Sequence, residues 1–125
     1  MIELKSKELQ LTFEPERYTV PTDTRGYIYI VIDKDEPDFI KVGRTNNIVK
    51  RLSAYNGDRP SPKVSLLAIS EMFNDVKEVE KKILNYLKKD KGTCIGKLEW
   101  FNKEVYDELL NLIDYFEQQE GFLHE

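Results

Sequence analysis

One histidine, His124, and one cysteine, Cys94, occur in 125 residues. A lone histidine excludes histidine-built metal clusters, and its place in the tail argues against a histidine general base or a Ser-His triad. A lone cysteine excludes a disulfide within the chain, and a reducing cytoplasm is the expected setting. No apolar run approaches the roughly 18 residues of a membrane span. The opening stretch MIELKSKELQLTF is charged and has no apolar signal-peptide core. What is present suits one globular domain: 40% hydrophobic and 34% charged residues, with a length that supports one modest core.

The net charge of −4 argues mildly against a polyanionic partner, but its distribution matters more. Residues 41–63 carry Lys41, Arg44, Lys50, Arg51, Arg59 and Lys63 against Asp58, a local excess of +5. Residues 99–125 hold eight carboxylates and one lysine. A basic stretch therefore sits inside an acidic chain. On charge alone it is either a solvated mixed surface or a nucleic-acid face; on the second reading Arg44, Lys50, Arg59 and Lys63 are the expected backbone contacts, with Tyr27 and Tyr55 beside them.

The residue pattern predicts an α+β fold: a small three-stranded antiparallel sheet flanked by helices. GYIYIVID and DFIKVGRT are β-rich runs separated by KDEP, a loop. Alternation puts Tyr27, Tyr29 and Val31 on one face of the first strand, and Phe39, Lys41 and Gly43 on one face of the second. Each strand keeps an aliphatic face for the core, and Tyr29 and Lys41 are expected as cross-strand neighbours on the other. VSLLAIS (64–70) is the third strand. Helices are expected near 47–56, 75–90 and 103–118. Ile48, Leu52 and Tyr55 form one apolar stripe, and Val76, Val79, Ile83 and Leu87 another. Arg51 sits at the edge of the first stripe and Glu80 flanks the second. Trp100 and Phe101 are expected in the core.

A tyrosine, a lysine and an arginine gathered at one end of a hairpin-helix unit suggest the handling of a phosphodiester. Tyr27-Ile28-Tyr29, Lys41-Val42-Gly43, Arg51 eight residues past that glycine, and Glu80 on a helix after the third strand follow in order. With GRTNNIVKRLSAYN and the later EWF, they resemble the small phage-type branch of the GIY-YIG nuclease superfamily. Lys41 stands where the family has a second tyrosine, and Leu84 where a histidine is common. The resemblance covers about residues 26–102. It divides the chain into an N-terminal arm or extra strand (1–25), a nuclease core (26–102) and an acidic C-terminal helix (103–125).

The resemblance implies a metal-dependent DNA endonuclease. Tyr29 would be its general base or proton relay, provided that Lys41 and Arg51 lower its pKa from about 10. Arg51 and Lys41 would stabilise phosphate charge, and Glu80 would hold one Mg²⁺ or Mn²⁺ ion. The partner would be DNA, with a homo-oligomer or a separate DNA-recognition partner as further possibilities. The alternative is a catalytically weak or inactive nucleic-acid-binding or interaction module with the same fold.

Overall fold

The computed structural model describes residues 1–4, 6–57, 61–88, 94–95 and 100–121, with backbone alone for Lys7, Glu8, Cys94 and Ile95. The elements are β1 (Ile2–Glu3), α1 (Lys7–Thr12), β2 (Tyr27–Asp33), β3 (Glu36–Thr45), α2 (Ile48–Asn56), β4 (Val64–Ile69), α3 (Val76–Tyr86), β5 (Cys94–Ile95), β6 (Trp100–Asn102) and α4 (Tyr106–Glu120). The fold is α+β, as the residue pattern predicts. All described strand pairs are antiparallel.

The sheet is larger than expected. Among the described residues it has six strands, in the order β1-β4-β2-β3-β6-β5. The three additional strands have two or three residues each, too few to show a period. Both faces of the sheet are covered, where the sequence reading assigned only one to the core. Ile28, Ile30, Ile40 and Val42 pack with α3 and α4 through Val79, Ile83, Leu109 and Ile113. On the opposite face, Tyr27, Tyr29 and Val31 pack with Ile48 of α2, Leu4, Phe13 and Tyr18. Each fully buried Ile or Phe contributes about 1.5–3 kcal/mol relative to exposure, and Ile28, Ile30, Ile83 and Phe101 are all in that class.

Hairpin register corrects a second expectation. Tyr29 lies opposite Gly43, and Lys41 lies opposite Val31. The pairing runs Ile32 with Ile40 and then Asp33 with Glu36, so an irregularity in β3 shifts everything beyond it. Tyr29 and Lys41 therefore share a face as diagonal neighbours, not as a cross-strand pair.

Two caps fix the helices that approach the sheet. The Asn47 side chain accepts the Lys50 N–H at 3.1 Å and starts α2. Gly57 ends it at φ 57°, a conformation that suits glycine. The Asp75 side chain accepts the Glu78 N–H at 3.2 Å and starts α3. α3 then runs Val76–Tyr86, with Val76, Val79, Ile83 and Leu84 buried. The remainder of the expected 75–90 helix includes residues 89–90, which lie outside the described residues. No helix among the described residues is long and apolar enough to cross a membrane.

Candidate functional site

Among the described residues, β6 pairs with Phe39, Ile40 and Lys41 of β3. Among the described residues, the last part of β3 thus has a strand neighbour on one side only. Alternation along β3 sends Lys41 and Gly43 to the α2 face and Arg44 to the α3 face. At this open edge, side chains from both faces of the sheet meet. Tyr29, Lys41, Gly43, Arg44, Arg51 and Glu80 line a cavity of about 240 Å³. That volume suits a phosphate group and ordered water better than a drug-sized ligand.

Tyr29 forms the floor, only 2% exposed. Its ring lies directly over Gly43, where a Cβ would come within 2.5 Å of the Tyr29 hydroxyl oxygen. Any side chain at Gly43 would occupy the place of the phenol. The hydroxyl groups of Tyr29 and Tyr55 lie 2.8 Å apart in a hydrogen bond. Burial pushes the Tyr29 phenol well above its ordinary pKa; the bond to Tyr55 adds to the rise, and Arg51 opposes it. The expectation that nearby cations would make Tyr29 a base is thereby corrected: desolvation outweighs their field.

Arg51 enters from α2. Its N–H donates to the Asn47 carbonyl at 3.1 Å, one turn into the helix. Tyr55 follows four residues later on the same face. Arg51 is largely exposed, and no carboxylate among the described residues pairs with it. Lys41 is half-buried, with Nζ 5.7 Å from the Tyr55 ring centre and 5.9 Å from that of Trp100. Two aromatic faces thus hold the ammonium.

Glu80 comes from the flank of α3. It accepts a hydrogen bond from Arg44 Nε at 3.0 Å, an ion pair at the cavity wall. Among the described residues no group of three or more His, Cys, Asp or Glu side chains gathers to hold a metal. One carboxylate beside a phosphate-sized cavity still fits a hard divalent ion such as Mg²⁺, which commonly takes one or two carboxylates and completes its shell with water and phosphate. Glu80 would be the protein ligand, once it exchanges Arg44.

The structure brings Tyr29, Lys41, Arg44, Arg51 and Glu80 together, with Tyr55 behind Tyr29. It does not bring Tyr27, Lys50 or Lys63 to the cavity. Tyr27 is buried, edge-on to Tyr18 with ring centres 5.2 Å apart, so it is a core residue and not an exposed contact. Lys50 is exposed on α2 but does not line the cavity. Lys63 Nζ lies 3.6 Å from Asp33 and 3.4 Å from Asp35, at the far end of β2. Arg59 lies outside the described residues. The sequence reading missed the Arg44–Glu80 pair and the part played by Trp100. Trp100 is half-buried beside Lys41, and Phe101 alone of the two is fully buried. Alternation between Lys41 and its partner on β6 was the signal, hidden by the shortness of β6.

Residues 26–117 match the model of the T5orf172 domain. The match spans most of the chain, and the chain belongs to that family, a phage-associated domain of nuclease-related type. Its function is accordingly nucleic-acid-related. This finding overturns the GIY-YIG resemblance: no model of that superfamily matches, and the strands that suggested it fall inside the T5orf172 match. Comparison with curated proteins and with solved structures gives no match.

Proposed function

From membership of the T5orf172 domain family, we propose that this chain is a divalent-metal-dependent endonuclease that hydrolyses DNA phosphodiester bonds. One observation carries the proposal: a phosphate-sized cavity lined by three cations, one carboxylate and a buried phenol. Water attacks phosphorus, the new P–O bond forms in line as the bond to the 3′ oxygen breaks, and the proton that the water gives up is balanced by the one that the 3′ oxygen takes up, leaving 5′-phosphate and 3′-hydroxyl ends. Arg51 holds non-bridging oxygens through its planar fork, and Lys41 adds a point charge. Both oppose the negative charge that builds in the transition state. Tyr29 works as a phenol: it donates a hydrogen bond to a phosphate oxygen or to the water, with Tyr55 as its partner in relaying a proton. Glu80 anchors Mg²⁺ or Mn²⁺, which when bound supplies Lewis-acid stabilisation of the phosphate.

Supercoiled plasmid incubated with Mg²⁺ or Mn²⁺ should be nicked, and chelation should stop the reaction. Glu80→Ala should abolish nicking while the protein still binds DNA. The Arg44–Glu80 ion pair favours a second reading, a DNA-binding module whose carboxylate is structural. A protein that retains DNA but leaves it intact with every divalent ion tried would establish that reading instead.

A further inference from the structure

We propose that Phe39, Lys41 and Trp100 form a stacking platform for the unpaired bases of a DNA strand whose phosphodiester lies in the cavity. The proposal rests on the nuclease reading of that cavity and narrows its substrate class to DNA with unstacked bases beside the phosphate that is cut.

Strand pairing puts these side chains together. Phe39 lies opposite Asn102, and Lys41 lies opposite Trp100. Alternation sends Ile40, Val42 and Phe101 to the α3 face, where they are buried. Phe39, Lys41 and Trp100 therefore share the α2 face. The packed residues on that face come from β2, β4, α2 and the segments beside them, and none comes from β3 or β6. Phe39 and Trp100 are half-buried, and among the described residues they belong to neither packed core. Two large aromatic side chains thus stay partly open on the half of the sheet that borders the cavity.

The chemistry of this face suits nucleobases. Every base has a π-face, and open sheets bind single strands by stacking bases on aromatic side chains while cations hold the backbone. Phe39 and Trp100 are diagonal neighbours on adjacent strands, about 7–8 Å apart at the backbone, so each ring can take its own base. Lys41 joins the platform to the cavity, which it lines. Its Nζ lies 5.9 Å from the Trp100 ring centre and 5.7 Å from that of Tyr55. Those distances are at the outer limit of a cation–π contact, so a phosphate in the cavity can draw the ammonium away and clear the Trp100 face. Arg44 and Arg51 continue the positive charge along the cavity. Asp38, beside Phe39, is paired with Lys103 at 3.7 Å. In a blunt duplex the bases stack on one another and leave the platform nothing to hold.

Trp100 is the single tryptophan of the chain, so intrinsic fluorescence reads the platform directly. The probe is a thymidine oligonucleotide with chelator present, compared with a blunt duplex of equal nucleotide count at the same salt concentration. Affinities come from fluorescence anisotropy, and each variant is checked for folding by thermal melting. The oligonucleotide should quench Trp100. It should bind Phe39→Ala and Trp100→Ala at least about fivefold more weakly than wild type, the low end of the loss for one stacked base. Trp100→Phe should keep most of the affinity, and duplex binding should change little in any variant. If the oligonucleotide binds wild type without altering Trp100 fluorescence, or binds Phe39→Ala as tightly as wild type, the platform is refuted, and plasmid nicking still decides the cavity. If both aromatics are needed for binding but DNA with unpaired bases is left uncut with every divalent ion, the platform stands and the nuclease reading falls. If sedimentation shows a dimer that Phe39→Ala dissociates, the face joins two copies of this chain and the platform is refuted.

Discussion

Tyr29 and Gly43 depend on one another. The phenol can lie across β3 only because Gly43 has no side chain, and that position lets its hydroxyl meet Tyr55. Gly43→Ala puts a methyl group where the ring sits. We expect a loss of about 1–3 kcal/mol in urea unfolding, as for other overpacked sites, and loss of nicking as the ring is displaced. Tyr29→Phe keeps the ring and removes the hydroxyl. Nicking should fall about 100-fold, the loss typical of one transition-state donor. Because the phenol stays protonated, the fall should be equal at pH 6 and pH 9; an inflection present only in wild type would restore Tyr29 as a base. Stability follows the same shift. The folded pKa lies above the unfolded one, so the phenol's contribution is complete below about pH 10 and is lost as pH rises further, where the unfolded chain ionises first. Wild type should lose more stability than Tyr29→Phe between pH 9.5 and pH 11 in thermal melts.

At the scale of elements, α2 hangs from two asparagines. Asn47 caps its start. Asn56 ties its end to β4: its Oδ1 accepts the Lys63 and Val64 N–H groups at 2.9 and 2.8 Å, and its Nδ2 donates to the Val64 carbonyl at 3.0 Å. Arg51 and Tyr55 lie between these anchors. Asn47→Ala should cost about 1 kcal/mol, as for lost N-caps generally. Asn56→Ala should cost about 1–3 kcal/mol by leaving part-buried backbone groups without their partner, and it should lower nicking more than it lowers DNA binding. Helices of this kind are legible in a sequence. The stripes of α2 and α3, and the flank positions of Arg51 and Glu80, follow from a 3.6-residue period. The register of β2 against β3 is not legible in the same way. Two-residue alternation says which face Tyr29 occupies, but the irregularity beyond Ile32 decides which residue of β3 it meets: regular pairing from Asp33 and Glu36 would bring it to Ile40, and the shift brings it to Gly43. β1, β5 and β6 carry no readable period, and their place in the sheet comes from long-range pairing. Tyr27 and Tyr29 read as exposed because the cover over them, from Phe13, Tyr18 and α2, lies elsewhere in the sequence.

For the whole molecule, the basic stretch 41–63 is not one surface. Folding divides it. Lys41, Arg44 and Arg51 converge on the cavity, whereas Lys63 is carried to the far end of the hairpin and paired with Asp33 and Asp35. No residue of the acidic helix α4 lines the cavity. DNA docking should therefore centre on the open edge of β3 and not on the whole basic stretch. Fluorescence anisotropy with a short duplex over a series of salt concentrations separates the two possibilities. Lys63→Ala should leave affinity within about twofold, because its charge is already offset by two carboxylates and lies off the docking face. Arg51→Ala should weaken binding and flatten the log–log salt slope by about 0.9, the change expected for one lost phosphate contact. If Lys63→Ala weakens binding and flattens the slope as much as Arg51→Ala does, the docking face extends along the full hairpin, and the cavity is only one part of it.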